Sequence, residues 1–280
     1  MKKIGLVVNR KKDTDLSVTR RVIEKLMSQG LEIYAELEVK PELSDIKDLN
    51  FTDLGEFRCD LIIVLGGDGS VIDASGIAIS SDAPILGINL GKVGYLSEVD
   101  KDNLSMLDGI SDGKYNIEQK MLLSVRGIEG RYAVNDVVVT HESYLGIGEF
   151  KIQDSSGNSI SYRADGIIIS TPQGSTAYSL SAGGPIIAHG VEGIILTPVA
   201  PHSFFNRSVI FNEDDELTVT NVGVGELKVA IDGRYVDKLE NGQSLTVKRA
   251  DRQLKTLTFS QNSMFTTLFK KMRLLEDITL

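Results

Sequence analysis

In the first third of the chain, short apolar runs alternate with longer polar stretches of helical period: KIGLVVN, DLSVTRRVIEKLMSQG, LEIYAEL, CDLIIVLGG and APILGIN. Runs of that length predict strands, and Leu16, Val22, Ile23 and Leu26 fall near the three- and four-residue steps of a helix. Gly30 follows where a left-handed C-terminal cap would sit. LIIVL is apolar at every position, as expected of a parallel strand covered on both faces. The pattern is that of βαβ units, and their natural assembly is a Rossmann-like α/β half-sheet.

From about Glu118 the texture changes. MLLSVRGIEGRYAVNDVVVT, EFKIQDSSGNSISYRADGIIIST, LTVTNVGVGELKVAIDGRYV and SLTVKRADRQLKTLTFS are β-rich segments broken by turn residues at hairpin spacing. The polar stretch SDGKYNIEQK, carrying Gly113, separates the two patterns. A first domain over residues 1–113 and a second, mostly β domain over 114–261 are therefore predicted. In the tail, Phe265, Leu268, Phe269, Met272 and Leu275 recur at helical steps behind a capping Asn262, predicting an amphipathic helix over 262–280. Its Lys270, Lys271 and Arg273 read as a solvated polar face.

Composition narrows the function classes. With 280 residues, 41% of them apolar, the chain is long enough for two cores. A net charge of −9 argues against a nucleic-acid partner, whose phosphates are bound by clustered Lys and Arg. Cys59 is alone and there are three histidines, so neither a disulfide nor a zinc constellation is indicated, and a reducing compartment follows. The apolar run Ile4 to Val8 is too short for a signal segment and is cut off by Asn9-Arg10-Lys11-Lys12. Nothing approaches the roughly 18 to 20 apolar residues of a membrane-spanning helix. A cytoplasmic protein without membrane or nucleic-acid partners is expected.

Candidate chemistry begins at LIIVLGGDGSVIDAS, a buried strand running into Gly66-Gly67-Asp68-Gly69 and then a helix-compatible stretch. Ligands of open parallel sheets bind beyond the carboxyl ends of strands, where glycines let the backbone approach phosphates closely. The run lacks the lysine of a Walker A loop and the spacing of the dinucleotide fingerprint. Asp68 either faces a ligand there or caps the following helix. An aspartate so placed suits phosphoryl transfer to a hydroxyl, with the carboxylate accepting the proton and Mg²⁺ held mainly by nucleotide phosphates; no dedicated metal site is expected. A second signal is YRADGIIISTPQGSTAYSLSAGGPII, residues 162–187. A strand ends in Thr171-Pro172-Gln173-Gly174, and the hydroxyls and free amides of Ser175 to Tyr178 follow around a polar ligand.

These segments resemble the NAD kinase family in five ordered blocks: GGDGS at 66–70, NLGKVGYLSEV at 89–99, NDVVV at 135–139, ADGIIISTPQGSTAYSLSAGGPI at 164–186 and LTPVAPHSFFNRSVI at 196–210. The first block alone is also similar to turns of diacylglycerol kinases and phosphofructokinases. The resemblance implies a Rossmann-like amino-terminal domain, a β-sandwich-like NAD-binding domain, a carboxy-terminal segment returning to the first domain, and a homodimer or homotetramer. It implies phosphorylation of the 2′-hydroxyl of the adenosine ribose of NAD, with ATP or polyphosphate as donor, Mg²⁺ or another divalent cation as cofactor, and NAD lying between domains. Asp68 would be the proton acceptor and Gly69 its neighbour at the ligand. Asn135 and Asp136 match the pair holding ribose and nicotinamide-side groups, Arg163 and Asp165 match polar contacts at the domain face, and Thr176, Ala177, Tyr178 and Ser181 match the loop cradling adenine and ribose.

The sequence also departs from the family. Its usual Asn-Glu pair is Asn135-Asp136, one methylene shorter, and Ser70 replaces the commoner threonine. Asp73 sits where some relatives carry a basic residue, which leaves open what neutralises the phosphates. Arg234 stands after AIDG where relatives often have glutamine, and is kept among the candidate substrate contacts. Asp232-Gly233 reads as a two-residue hairpin turn, with a ligand role as the alternative. His202 reads as structural, and His141 and His189 show no partner spacing. A lipid or sugar kinase and a non-catalytic dinucleotide sensor are the rival readings.

Overall fold

A computed structural model describes residues 1–91, 94–141, 146–188 and 190–259. The helix predicted over 262–280 and His189 lie outside these. The chain divides into two compact units, residues 1–119 with those from 254 on, and residues 120–253. Each has its own apolar core.

In the first unit the elements run β1 (Lys3–Val8), α1 (Ser17–Ser28), β2 (Glu32–Glu36), α2 (Lys40–Leu43), β3 (Asn50–Thr52), β4 (Leu61–Gly66), α3 (Asp68–Ser81), β5 (Ile85–Asn89), β6 (Ser97–Asp100) and α4 (Asp108–Ser111). Strands β1 to β5 form a parallel sheet in the order β3-β2-β1-β4-β5, and β6 adds to β5. Every residue of β4 is buried, as its unbroken apolar run requires of a central parallel strand. Helix α1 buries Val22, Ile23 and Leu26 against the sheet. It ends as predicted. Gly30, at φ 77°, donates to the Met27 carbonyl (2.9 Å) while Leu31 N–H reaches Leu26 O (3.3 Å), the double bond of a Schellman cap, with both leucines in the core.

The chain crosses to the second unit within β7 (Asn116–Val125). There follow β8 (Ile128–Ala133), β9 (Asp136–His141), β10 (Gly148–Gln153), β11 (Ser159–Ala164), β12 (Gly166–Ser170), α5 (Tyr178–Ser181), β13 (Ile194–Val199), β14 (Val209–Phe211), β15 (Glu216–Asn221), β16 (Leu227–Ile231), β17 (Arg234–Leu239) and β18 (Ser244–Thr258). One antiparallel sheet has the order β14-β13-β12-β9-β16-β17. The other runs β11-β10-β15-β18. Strands β10 and β15 bury every second residue, so Phe150, Ile152, Leu217 and Val219 meet Val137, Val139, Ile167 and Ile169 of the facing sheet in one core. The fold is thus mixed: a Rossmann-like α/β unit and a β-sandwich-like unit. Strand β18 carries the chain back, and its Thr256 pairs parallel with Ile85 of β5. No helix of the described residues is long and apolar enough to cross a membrane.

Candidate active site

When the strand order of an open parallel sheet reverses, the helices after the two flanking strands go to opposite faces and leave a crevice beyond the strands' carboxyl ends. In the first unit that reversal falls between β1 and β4. The segments leaving these strands are Asn9 to Lys12 and Gly66 to Gly69. They are tied together: Asn9 N–H donates to Leu65 O (2.9 Å) and Asn9 Nδ2 to Ser70 Oγ (2.7 Å).

Asp68 does not cap α3. Gly67 is the N-cap, and Asp68 is the first helical residue, half-buried, beside an exposed Gly69. Its carboxylate accepts two backbone N–H groups from a distant loop, Tyr95 onto Oδ2 (2.7 Å) and Leu96 onto Oδ1 (3.0 Å). The approach is so close that a Cβ on Gly94 would collide with the carboxylate, which is why glycine precedes Tyr95. Burial, and then the Asp68 charge, push the Tyr95 hydroxyl above its usual range. A cation that sequence reasoning did not single out stands at the same turn: a Cβ on Gly67 would run into the Lys12 ammonium, and one on Gly91 would come within 3.9 Å of it. Lys12 lies in a polar run that reads as ordinary surface, and only the β1 to β4 adjacency brings it to the glycines. Asp73 is exposed on α3.

The second unit gathers another cluster. Asn135 immediately precedes β9 and Asp136 opens it, pairing with Ser170 at the end of β12. Next to them Ile231 closes β16 opposite Arg234, with Asp232 and Gly233 at φ 47° and 76° between, the type I′ turn that joins two strands with matching twist. Past Ser170 the chain makes a tight helical turn over Gln173–Thr176 and then α5. Thr176 Oγ1 donates to Gln173 O (3.2 Å) and Ala177 N–H to Gly174 O (2.9 Å). Thr176 and Ala177 are half-buried, while Tyr178 (44%) and Ser181 are exposed. Asn135, Asp136, Asp232, Arg234 and the turn from Thr171 thus share one end of the second sheet. Arg163 and Asp165 do not. They lie at the opposite end of β12, about 17 Å away for five strand residues. There Arg163 Nε faces Glu149 Oε1 (3.4 Å), and its backbone binds Ser203 and His202.

Asp136 is 4% exposed. Burial first, and the neighbouring Asp232 charge second, push its carboxyl from 3.8 to about 7. Asp232 is also pushed up by burial, and three backbone N–H donors oppose that shift. Among the described residues no group of three or more His, Cys, Asp or Glu is arranged to hold a metal ion.

Comparison with known proteins places this arrangement. The family model described as ATP-NAD kinase N-terminal domain matches residues 4–115, and the one described as ATP-NAD kinase C-terminal domain matches residues 134–259. The NAD kinase of Caldanaerobacter subterraneus subsp. tengcongensis is 32% identical, over 97% of this chain and 99% of its own length. That of Lachnoclostridium phytofermentans is 35% identical over the same shares. Among solved structures, yeast NADH kinase complexed with NADH has a TM-score of 0.86 at 20% identity, covering 96% of this chain and 86% of its own. An NAD kinase from Archaeoglobus fulgidus in complex with ATP has 0.76 at 24% identity, covering 97% and 98%. Both share the fold. The chain belongs to the ATP-NAD kinase family and is a phosphotransferase.

Two outcomes follow from the packing. Gly94→Ala will destabilise the protein by about 1–3 kcal/mol, as overpacking does, because Asp68 must give way. In an Asp68→Ala background the penalty will largely vanish, a coupling that a double-mutant cycle of urea midpoints measures. For Asp136 the sign is set by a folded pKa above the unfolded one. The folded state binds more protons between pH 4 and 7, so the contribution is present below about 4 and lost as pH rises through about 7. Asp136→Asn will flatten this dependence, and its melting temperature will exceed the parent's at pH 8 by more than at pH 5.

Proposed function

We propose that this enzyme phosphorylates the 2′-hydroxyl of the adenosine ribose of NAD to give NADP, with ATP or polyphosphate as donor and Mg²⁺ or another divalent cation as cofactor. The observation that carries the reading is the Asp68 carboxylate, anchored by Tyr95 and Leu96 N–H at a glycine turn beyond β4, half-exposed where a sheet of this order binds ligands. The NADH in the yeast relative and the ATP in the archaeal one support a dinucleotide acceptor and a nucleotide donor. Gly69 borders the ligand beside Asp68. The second unit contributes recognition: Asn135 and Asp136 for ribose and nicotinamide-side groups, Thr176, Ala177, Tyr178 and Ser181 for adenine and ribose, and Arg234 as a further substrate contact. Arg163 and Asp165 serve as polar contacts from the far end of β12.

In the proposed step the 2′-oxygen attacks the terminal phosphorus and a new O–P bond forms. The bond to the bridging oxygen breaks, ADP or a shortened polyphosphate leaves with the electron pair, and Asp68 takes the hydroxyl proton. The cation would ride mainly on the donor's phosphates, and the hydroxyl proton goes to Asp68. Lys12 supplies positive charge at the turn. A cytoplasmic homodimer or homotetramer completes the reading, and the wholly exposed Phe204 and Val224 (95%) are apolar surface that self-association would cover.

The test is direct. Purified protein given NAD, Mg²⁺ and ATP or polyphosphate will form NADP, read by an NADP-specific dehydrogenase. Stabilisation by NAD without any NADP would instead favour a dinucleotide sensor, and labelled phosphate on a lipid or sugar would favour the other kinases. Asp68→Asn will lower turnover by about 10²–10⁴-fold, the usual worth of a general base, with NAD affinity within a few-fold. Unchanged turnover sinks the role. Lys12→Gln will raise the KM for ATP roughly tenfold or more, as loss of a charge-assisted contact does, and leave the KM for NAD within twofold.

A further inference from the structure

The turn at Asp232-Gly233 holds more than a hairpin needs. Two positive φ values would be met equally well by Asn-Gly or Gly-Gly. The carboxylate, however, takes every main-chain donor of a three-residue segment where β8 passes into β9. Oδ2 accepts from Val134 N–H (2.8 Å), and Oδ1 accepts from Asn135 N–H (2.8 Å) and Asp136 N–H (3.0 Å). Asp232 N–H returns a bond to Asp136 O (3.0 Å). The carbonyls on the other side are held as fully. Thr171 Oγ1 donates to Val134 O (2.7 Å) and accepts from Gly174 N–H (2.9 Å), while Thr171 N–H donates to Asn135 O (2.9 Å). Gly174 lies so near the Asn135 backbone that no Cβ would fit.

Successive N–H groups converging on one anion form a nest, and bonds to a charged acceptor are the short, strong kind. The segment so gripped presents Asn135, and through Thr171 and Gly174 it is bonded to the turn that leads to Thr176 and Tyr178. We propose that Asp232 is a positioning residue for the acceptor substrate: its carboxylate fixes the backbone of Val134 to Asp136, and with it the Asn135 side chain and the 171–178 turn, in the geometry that takes the dinucleotide. This rests on the reading of that end of the sheet as the dinucleotide site. Asp232 acts through the backbone, so its loss should fall on acceptor binding and spare the donor.

Two variants separate the carboxylate from the turn. Asp232→Gly keeps positive φ at 232 and removes all three acceptor bonds; Asp232→Asn keeps the size and one acceptor oxygen. Steady-state kinetics of the full-length enzyme should show the KM for NAD raised at least tenfold in the glycine variant and by a smaller factor in the asparagine variant, with the KM for ATP within twofold in both. Amide hydrogen exchange at 134–136, measured without ligand, should be slow in the parent and at least tenfold faster in Asp232→Asn. An unchanged KM for NAD, equal rises for NAD and ATP, or rapid exchange at these amides in the parent would each overturn the proposal. Should Asp232→Gly fail to fold, the asparagine variant and the parent's exchange rates decide. A parent that makes no NADP would sink the functional reading alone, since the exchange readout still tests the clamp.

Discussion

Where a β-ladder stops, the next peptide N–H groups lose their partners, and buried ones must find others. Both candidate clusters are organised by how this chain meets that demand. In each unit an aspartate in a glycine-containing turn gives its carboxylate to consecutive N–H groups of a remote segment: Asp68 to Tyr95 and Leu96, Asp232 to Val134, Asn135 and Asp136. The donors lie 27 and 28 residues away in the first case and 96 to 98 in the second. A carboxylate held by two or three rigid donors keeps its position without a metal ion. Such anchoring fixes the carboxylate before any ligand arrives.

Anchoring of this kind sets the glycines. The two tightest approaches to a glycine are at Gly94, over the Asp68 carboxylate, and at Gly174, over the Asn135 backbone, and neither leaves room for a Cβ. Glycine at these two positions is thus a packing requirement.

Much of this architecture is legible in local pattern. The unbroken LIIVL run marks β4, helical spacing with Gly30 marks α1 and its cap, and Asp-Gly marks the hairpin between β16 and β17, because each is decided by residues a few positions apart. The Gly66 to Gly69 run gives away Asp68 for the same reason. What local pattern does not carry is contact between distant segments. Lys12 reads as surface until β1 is laid beside β4, and the carboxylate of Asp232 has no visible task until β9 is laid beside β16. Closeness in sequence also misleads. Asp165 precedes Thr171 by six residues, but an extended strand spends those residues on distance, so Arg163 and Asp165 end up across the sheet from Asn135.

The remaining departure, a short Asp136 in place of a longer acid, takes its meaning from the same corner. Burial first, and then the charge of the neighbouring Asp232, oppose ionisation of Asp136 and push its carboxyl up to about 7. In its protonated state Asp136 gains an O–H donor that a carboxylate lacks. The side chain can then give a hydrogen bond as well as accept one, and Asp232, which holds its backbone N–H, adds to the upward push that burial gives its carboxyl.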